Sequence, residues 1–178
     1  MYTCKIICFN SSSNKRDSVV QKLVDVQDLL QYNEDVRHRY FEFLAQMPWA
    51  EFTKNREASF HSMRNIFVHA LDAIDYWLDF LQGENLRSKR KYDDYKTCKE
   101  VKSYMEHVEK RMHEYIKSLP KDGLSKKYTA KGDGKTVEIT AEDVLVHVFE
   151  EEVHHRGELI ALLWQMNIEP PMMGWKGL

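Results

Sequence analysis

Apolar residues recur at helical spacing over four long stretches of the chain. The stretches are residues 19–47, 59–81, 92–118 and 141–166. Pro48 follows the first stretch and ends its helix, because the residue before a proline is displaced from the α region. Four long helices in a chain of 178 residues predict an all-α protein with the architecture of a four-helix bundle.

The residues at the ends of these stretches support the helices. Ser59 or Ser62 is a suitable N-cap for the second helix, and Gly83 lies just beyond its end. Thr140, followed by Asp143, resembles a capping box at the start of the fourth helix, with aspartate in place of the usual glutamate. Start and stop signals therefore agree with the hydrophobic period.

One segment departs from the helical pattern. Between the third and fourth helices, Gly132-Asp133-Gly134 separates two short runs in which apolar and polar residues alternate. Such runs on either side of a glycine-rich turn predict a small hairpin or an ordered loop. Residues 1–18 fit no pattern, and we expect them to be an N-terminal extension of a domain that spans residues 19–178.

Composition and charge are those of an ordinary globular protein. The 26 basic and 28 acidic residues give a net charge of −2, which provides no basic surface for a nucleic acid. No stretch approaches the roughly 18–20 apolar residues of a membrane span. Three cysteines, Cys4, Cys8 and Cys98, make an unlikely disulfide framework and favour a reducing compartment. We therefore expect a cytoplasmic protein that binds neither nucleic acid nor membrane, with Cys98 in the core.

The fourth helix is apolar nearly all the way round but carries a patch of ionisable residues. The patch occupies an arc of roughly 100° on a helical projection. Its members are His147, Glu151, His154, His155 and Glu158. A solvated patch would have its apolar stripe on the opposite side only, and burying these charges unpaired would be costly. A metal ion would remove that cost for imidazole and carboxylate together.

Residues four apart on this helix can reach one ion, since their Cβ atoms are about 5–6 Å apart. Three pairs have this spacing: Glu151 with His155, Glu150 with His154, and His147 with Glu151. The spacing by itself does not choose among the three pairs. A third ligand has to come from another helix.

His69 on the second helix is the best candidate for that third ligand. It lies about 90° round the helix from Asp72, Asp75 and Asp79, which are expected to face solvent. A single histidine on an apolar face is more often a core residue with a satisfied hydrogen bond, so both interpretations stand. The remaining histidines lie among charged residues and are interpreted as surface residues: His38, His61, His107 and His113.

Two segments resemble the DinB/YfiT-like superfamily of small metal-binding four-helix proteins. Residues 65–78, NIFVHALDAIDYWL, place a histidine before a tryptophan-leucine pair as members of that family do. Residues 146–159, VHVFEEEVHHRGEL, contain the His-Arg-Gly-Glu of the family's fourth helix. Tyr32-Asn33 also resembles a pair in the family's first helix. The resemblance extends over about residues 25–167.

The resemblance implies a divalent metal site at His69, Glu151 and His155, with zinc as the first expectation and nickel as the second. Many members have histidine in place of Glu151, but the mycothiol-dependent maleylpyruvate isomerase branch is similar in using a His/Glu/His set. His147 and His154 flank the implied ligands, and we expect them to support these ligands or to transfer protons.

The implied activity is a transferase, isomerase or hydrolase reaction on a small-molecule substrate, with a low-molecular-weight thiol such as bacillithiol, mycothiol or glutathione. Two alternatives remain: a metal-binding stress-response protein without turnover, and a bundle whose patch forms buried ion pairs without metal. A homodimer is also expected. Within the motif, Arg156 is expected to form a structural ion pair and Gly157 to permit close helix packing.

Overall fold

The structure is a computed structural model that describes residues 24–84, 86, 91–132 and 134–175. The predicted N-terminal extension, with Cys4 and Cys8, lies outside the described residues, as do residues 19–23 of the first predicted helix and Asp133 of the predicted turn. The domain boundary at residue 18 therefore stays a prediction.

The described residues are mostly helical. The α-helices are α1 (Val26–Leu44), α2 (Trp49–Thr53), α3 (Met63–Gln82), α4 (Cys98–Ser118) and α5 (Ala141–Gln165). Two strands, β1 (Lys127–Gly132) and β2 (Lys135–Thr140), pair in antiparallel register before α5. The broad all-α class and the hairpin are thus confirmed, whereas the short helix α2 was not predicted. None of the described helices is long and apolar enough to cross a membrane.

Helix α1 begins later and ends earlier than the hydrophobic pattern predicts. Asp25 caps it: the side chain of Asp25 accepts a hydrogen bond from the backbone N–H of Asp28, and the side chain of Asp28 accepts one from Asp25. Val24 lies before this capping box and is 60% exposed. At the other end Pro48 caps α2 rather than following α1 directly. Local capping therefore overrides the longer apolar pattern.

The predicted ends of α3 and α5 are confirmed. Ser62, one of the two predicted N-caps, accepts a hydrogen bond from the backbone of α3. Gly83 ends that helix in the left-handed conformation, with φ of 70°, which glycine adopts without strain. Thr140 and Asp143 form the predicted reciprocal capping box of α5.

Helix α4 is shorter than predicted. Residues 92–94 form a separate 3-10 turn, and Thr97 caps the α-helix that begins at Cys98. Cys98 is half-buried and packs against the core, as expected, and this burial raises the pKa of its thiol. Its position gives no sign of a nucleophile.

The long helices pack in an order that determines which side chains meet. Helix α1 packs on α5, α5 on α3, and α3 on α4. The core contains fully buried residues from each of them, including Leu44, Ile66, Met105 and Leu145. The contact between α3 and α5 confirms the prediction that the helix of His69 neighbours the helix of Glu151 and His155.

The predicted solvent stripe of α3 is wrong. Asp75 and Asp79 are buried, and both form ion pairs with Arg111 of α4. Asp72 is half-buried and accepts a hydrogen bond of 2.7 Å from Tyr104. These aspartates face the neighbouring helix because α4 supplies the cation and the hydroxyl that they need.

Candidate metal site

Helices α3 and α5 bring the three implied ligands together. One ligand atom from each of His69, Glu151 and His155 lies within 4.8 Å of the other two. On α5, His155 Nε2 is 3.3 Å from a carboxylate oxygen of Glu151. The rings of His69 and His155 are nearly perpendicular, with centroids 4.6 Å apart. Helical spacing thus brings two of these residues together, and the packing of α3 on α5 adds the third.

The three side chains differ in their burial. His155 exposes 6% of its side chain and Glu151 exposes 30%, while His69 is half-buried. The group therefore has a buried end at His155 and an open side at Glu151. Such an arrangement holds ligands firmly and still leaves access for a molecule from solvent.

Phe60 covers the two imidazoles. Its ring stacks on His69 with centroids 3.9 Å apart and meets the ring of His155 edge-on at 5.3 Å. Asn65 of α3 donates a hydrogen bond of 2.8 Å to the carbonyl of Phe60, which fixes the segment before the helix. Phe60 is not among the predicted site residues, because its contact with the imidazoles arises only from the fold of the chain before α3.

Glu158 contacts the second nitrogen of His155. Its carboxylate lies 2.8 Å from His155 Nδ1, on the other side of the ring from Glu151. A carboxylate in this position fixes the tautomer and the orientation of a metal-binding histidine. Burial tends to raise the pKa of Glu158, but hydrogen bonds from Ser59 and His155 and the charges of nearby imidazoles outweigh it, so the pKa is lowered.

Glu158 belongs to the predicted ionisable patch of the fourth helix, but no role was predicted for it. Its spacing of three residues from His155 was the available signal, since residues at this spacing are neighbours on a helix. We refer to His69, Glu151, His155 and Glu158 together as the histidine cluster.

His147 and His154 occupy different positions beside this cluster. His147 Nε2 is 3.4 Å from the second carboxylate oxygen of Glu151, and its ring contacts Trp77 at a centroid distance of 5.2 Å. His154 is exposed, with its ring 4.8 Å from that of His155. His147 can therefore support Glu151 directly, and His154 lies at the edge; their predicted roles in proton transfer stay predictions.

A competing set of ligands lies on α5 alone. His154, His155 and Glu158 also have ligand atoms within 4.8 Å of one another. This set takes no side chain from a second helix, and Glu158 is already bonded to His155 Nδ1. We favour the set with His69, because it draws ligands from two packed helices and leaves Glu158 to orient His155.

Arg156 points away from the histidine cluster. It is buried, donates a hydrogen bond of 3.1 Å to Asn33 Oδ1 and lies over the ring of Tyr32. Burial lowers its pKa, against the opposing charge of Glu152. The predicted structural role is supported, but its hydrogen-bond partner is an amide rather than the predicted carboxylate, because the Tyr32-Asn33 pair of α1 meets this part of α5.

The explanation predicted for Gly157 is wrong. Gly157 is exposed, and a Cβ atom placed on it would have no other atom within 4 Å among the described residues. Close packing between helices of this chain therefore does not require glycine at this position.

The described fold and site define a mostly helical protein with a His/Glu/His group between two neighbouring helices. The family model for the DinB family matches residues 17–176, and the chain belongs to this family. It is 23% identical over 140 residues to the YizA protein of Bacillus subtilis (strain 168), an alignment that covers 79% of this chain and 87% of YizA. The crystal structure of a conserved protein from Enterococcus faecalis is similar in fold, with a TM-score of 0.58 and 18% identity over 78% of this chain and 95% of that one.

Proposed function

We propose that the protein is a metal-dependent enzyme of the DinB type, with four long helices arranged as a bundle and one divalent ion bound by His69, Glu151 and His155. The convergence of their ligand atoms from α3 and α5 supports this proposal. Ligands that each lie about 2.0–2.2 Å from one zinc ion are roughly 3–3.5 Å apart. The separation of 3.3 Å between His155 and Glu151 fits this range, and His69 lies within 4.8 Å, a difference that side-chain rotation can accommodate.

The ligand set favours a catalytic over a structural ion. Two imidazoles and one carboxylate leave positions open on a divalent ion, as in catalytic zinc sites. When bound, the ion would lower the pKa of a water molecule, or bind a thiolate and polarise a substrate carbonyl. Zinc is the first candidate and nickel the second, since both accept imidazole and carboxylate ligands.

The residues around the open side would position a substrate. Phe60 and Trp77 provide apolar surface beside the imidazoles, which suits a small molecule with an apolar part. His147 exposes 44% of its side chain and His154 is exposed, so both are placed to exchange a proton with a molecule there. The proposed thiol co-substrate rests on the family resemblance.

One contact favours the alternative in which the group forms ion pairs without metal. His155 lies between the carboxylates of Glu151 and Glu158, and a protonated imidazole would pair with both. The third alternative, a metal-binding protein without turnover, would share the ligand set. The expected homodimer, the cytoplasmic location and the absence of nucleic-acid binding stay predictions.

Elemental analysis of the protein purified without a histidine tag tests the metal. His155→Ala and Glu151→Ala should each lose the ion bound at this site, because each removes a direct ligand. His154→Ala and Glu150→Ala are matched controls on the same helix and should retain it, whereas Glu151→His should retain it by restoring a three-histidine set. If His154→Ala loses the metal and His155→Ala retains it, the ligands are misassigned.

Turnover with a panel of low-molecular-weight thiols separates the enzyme from a metal-binding protein. Activity that the unaltered protein shows and His155→Ala lacks would support the enzyme. Stoichiometric metal without any turnover would support the binding protein, and failure to bind zinc at all would favour the ion pairs.

A further inference from the structure

Two pairs of glutamate and histidine face each other across the space between α1 and α4. Glu34 and His38 are four residues apart on α1, and Glu109 and His113 are four residues apart on α4. Because residues at this spacing lie one turn apart on the same side of a helix, each helix presents one carboxylate and one imidazole.

The two pairs contact each other crosswise. His38 Nε2 lies 3.1 Å from a carboxylate oxygen of Glu109, and His113 Nε2 lies 2.7 Å from one of Glu34. Ligand atoms of Glu34, His38 and Glu109 also lie within 4.8 Å of one another. The ligand atoms of Glu34, His38 and Glu109 therefore converge, and His113 contacts Glu34 beside them. None of these residues belongs to the histidine cluster. The interpretation of His113 as a surface residue is confirmed by its exposure, whereas His38 is half-buried.

These residues lie at a cleft between helices that pack only slightly on each other. A cavity of about 250 Å³ opens between α1 and α4 and reaches Ile74 of α3 and Glu152 of α5. Glu34, Glu109 and His113 line this cavity. Glu109 is almost fully buried, whereas His38 and His113 expose 41% and 59% of their side chains. An ion from solvent therefore has both an entrance and room.

The carboxylates at the cleft differ in their cation partners. Arg37 pairs with one oxygen of Glu109 and also with Glu152, and the charge of Arg156 acts on Glu152 as well. Glu34 contacts His113 but has no direct lysine or arginine partner within the described part of the chain. Glu34, together with the second oxygen of Glu109, is therefore the part of the cleft where a cation can bind.

We propose that Glu34, His38 and Glu109 form a second binding site, with His113 orienting Glu34, for a divalent transition metal with the ligand preference of zinc. Imidazole with carboxylate suits such ions, whereas magnesium and calcium prefer oxygen ligands alone. A histidine that contacts a ligating carboxylate fixes the position of that ligand. The bound ion joins α1 to α4 and reinforces the cleft. This proposal does not depend on the proposed enzymatic function.

The test uses the full chain with His69→Ala and His155→Ala, which removes the proposed first site. Isothermal titration with zinc should then show one ion per chain. Adding His38→Ala and His113→Ala should abolish this binding. A third protein, with His107→Ala added instead, should still bind one ion, since His107 is an exposed histidine of α4 outside the four residues.

Thermal unfolding provides an independent measurement on the same proteins. Zinc should raise the melting temperature of the protein that retains His38 and His113, and should not raise that of the protein that lacks them. In the otherwise unaltered chain, His38→Ala with His113→Ala should lower the zinc content from two ions to one. This measurement of zinc content tests the second site even if the proteins with four substitutions fold poorly.

Two results would overturn the proposal. The first is a folded protein, by circular dichroism, that lacks the first site and binds no zinc. The second is zinc binding that persists unchanged without His38 and His113, which would indicate adventitious binding elsewhere. If the second site binds zinc and the first site does not, the proposed function is contradicted, and the proposal of the second site stands.

Discussion

Two of the polar clusters in the described part of the chain differ in the charge that they contain. The first is the histidine cluster between α3 and α5. The second, which we call the arginine cluster, joins α1, α4 and α5. Its members are Arg37, Glu109, Glu152, Asn33 and Arg156. The arginine cluster contains its own permanent cations, whereas the histidine cluster has none.

The arginine cluster satisfies most of its own buried groups, with Arg156 Nε as the exception. Arg37 donates to Glu109 and Glu152 at 3.0 and 2.9 Å, and all three side chains are at most 9% exposed. Asn33 accepts from Arg156 and donates to the carbonyl of Phe149. Charges that are paired and hydrogen-bonded in this way are stabilised within the fold, and only the second oxygen of Glu109 is turned towards His38 and the proposed second site.

The histidine cluster lacks an equivalent cation. The carboxylate of Glu151 lies beside the imidazoles of His69, His147 and His155, with no lysine or arginine partner among the described residues. The presence or absence of a permanent counter-charge therefore distinguishes two kinds of polar cluster in a helical interior. One that carries its own counter-charge serves the fold, and one that lacks it is the better candidate for an external ion.

The largest loss of stability is expected from Arg37→Met, which removes the central cation of the arginine cluster. This change leaves the carboxylates of Glu109 and Glu152 buried without their shared cation. Removing one partner of a buried ion pair typically costs about 3–5 kcal/mol. Unfolding in urea at neutral pH should show a loss of stability of this size, with Arg39→Met as a control of the same chemistry at a half-buried neighbour.

The loss in Arg37→Met should depend on pH in a defined direction. Burial raises the pKa of Glu152 even while Arg37 opposes it, so removal of Arg37 should raise this pKa further. A carboxyl whose folded pKa is raised destabilises the fold as pH rises above about 4.3, its ordinary value. The deficit should therefore shrink as pH falls towards that value. A loss below about 1 kcal/mol, or one independent of pH, would contradict the role of Arg37.

A smaller effect is expected from removing metal from the histidine cluster. Chelation should lower the melting temperature by mass action, equivalent to about 3–4 kcal/mol for an ion present at 100–1,000 times its Kd. Helical circular dichroism should remain, because the core does not involve the ion. The part of the effect that belongs to this cluster should vanish in His155→Ala. Complete unfolding at room temperature would instead show that the ion is structural.

A more selective change is Glu158→Gln, which keeps the shape of the side chain but removes the charge next to His155. Metal affinity should fall by about 10–100-fold, the usual effect of losing a group that orients a ligand. Competition with a chromophoric chelator measures this directly, and Glu150→Gln serves as a control on the same helix. Equal affinities for both variants would mean that Glu158 does not orient His155.

The smallest effect on stability is expected from a substitution on the exposed face of α5, outside both clusters. Gly157→Ala should stabilise the protein by up to about 1 kcal/mol, because alanine favours a helix more than glycine and a Cβ atom has space there. Urea unfolding checks the gain, and metal content should stay unchanged. Destabilisation would show that another molecule packs on this face.

Local sequence patterns determined most of the secondary structure. The helical period located the long helices, and Thr140 with Asp143 marked the start of α5, because these signals act between residues a few positions apart. The same locality explains the errors. Helix α2 has five residues and is too short to show a period, and the capping box at Asp25 limits a longer apolar pattern.

The candidate metal site was predictable in part. Helical spacing placed Glu151 and His155 together but allowed two competing pairs, and the family resemblance added His69. Phe60 could not be predicted, since it reaches the imidazoles from a segment outside any helix.

Tertiary structure alone decided which charges are buried and what they contact. Asp75 and Asp79 look like solvent positions along α3 until α4 brings Arg111 against them. Glu34 and His113 are far apart in sequence and meet only because α1 and α4 border one cleft. Such contacts depend on which faces of distant helices come together. The spacing of residues within one helix carries no information about that arrangement, because it is set by the packing of the whole core.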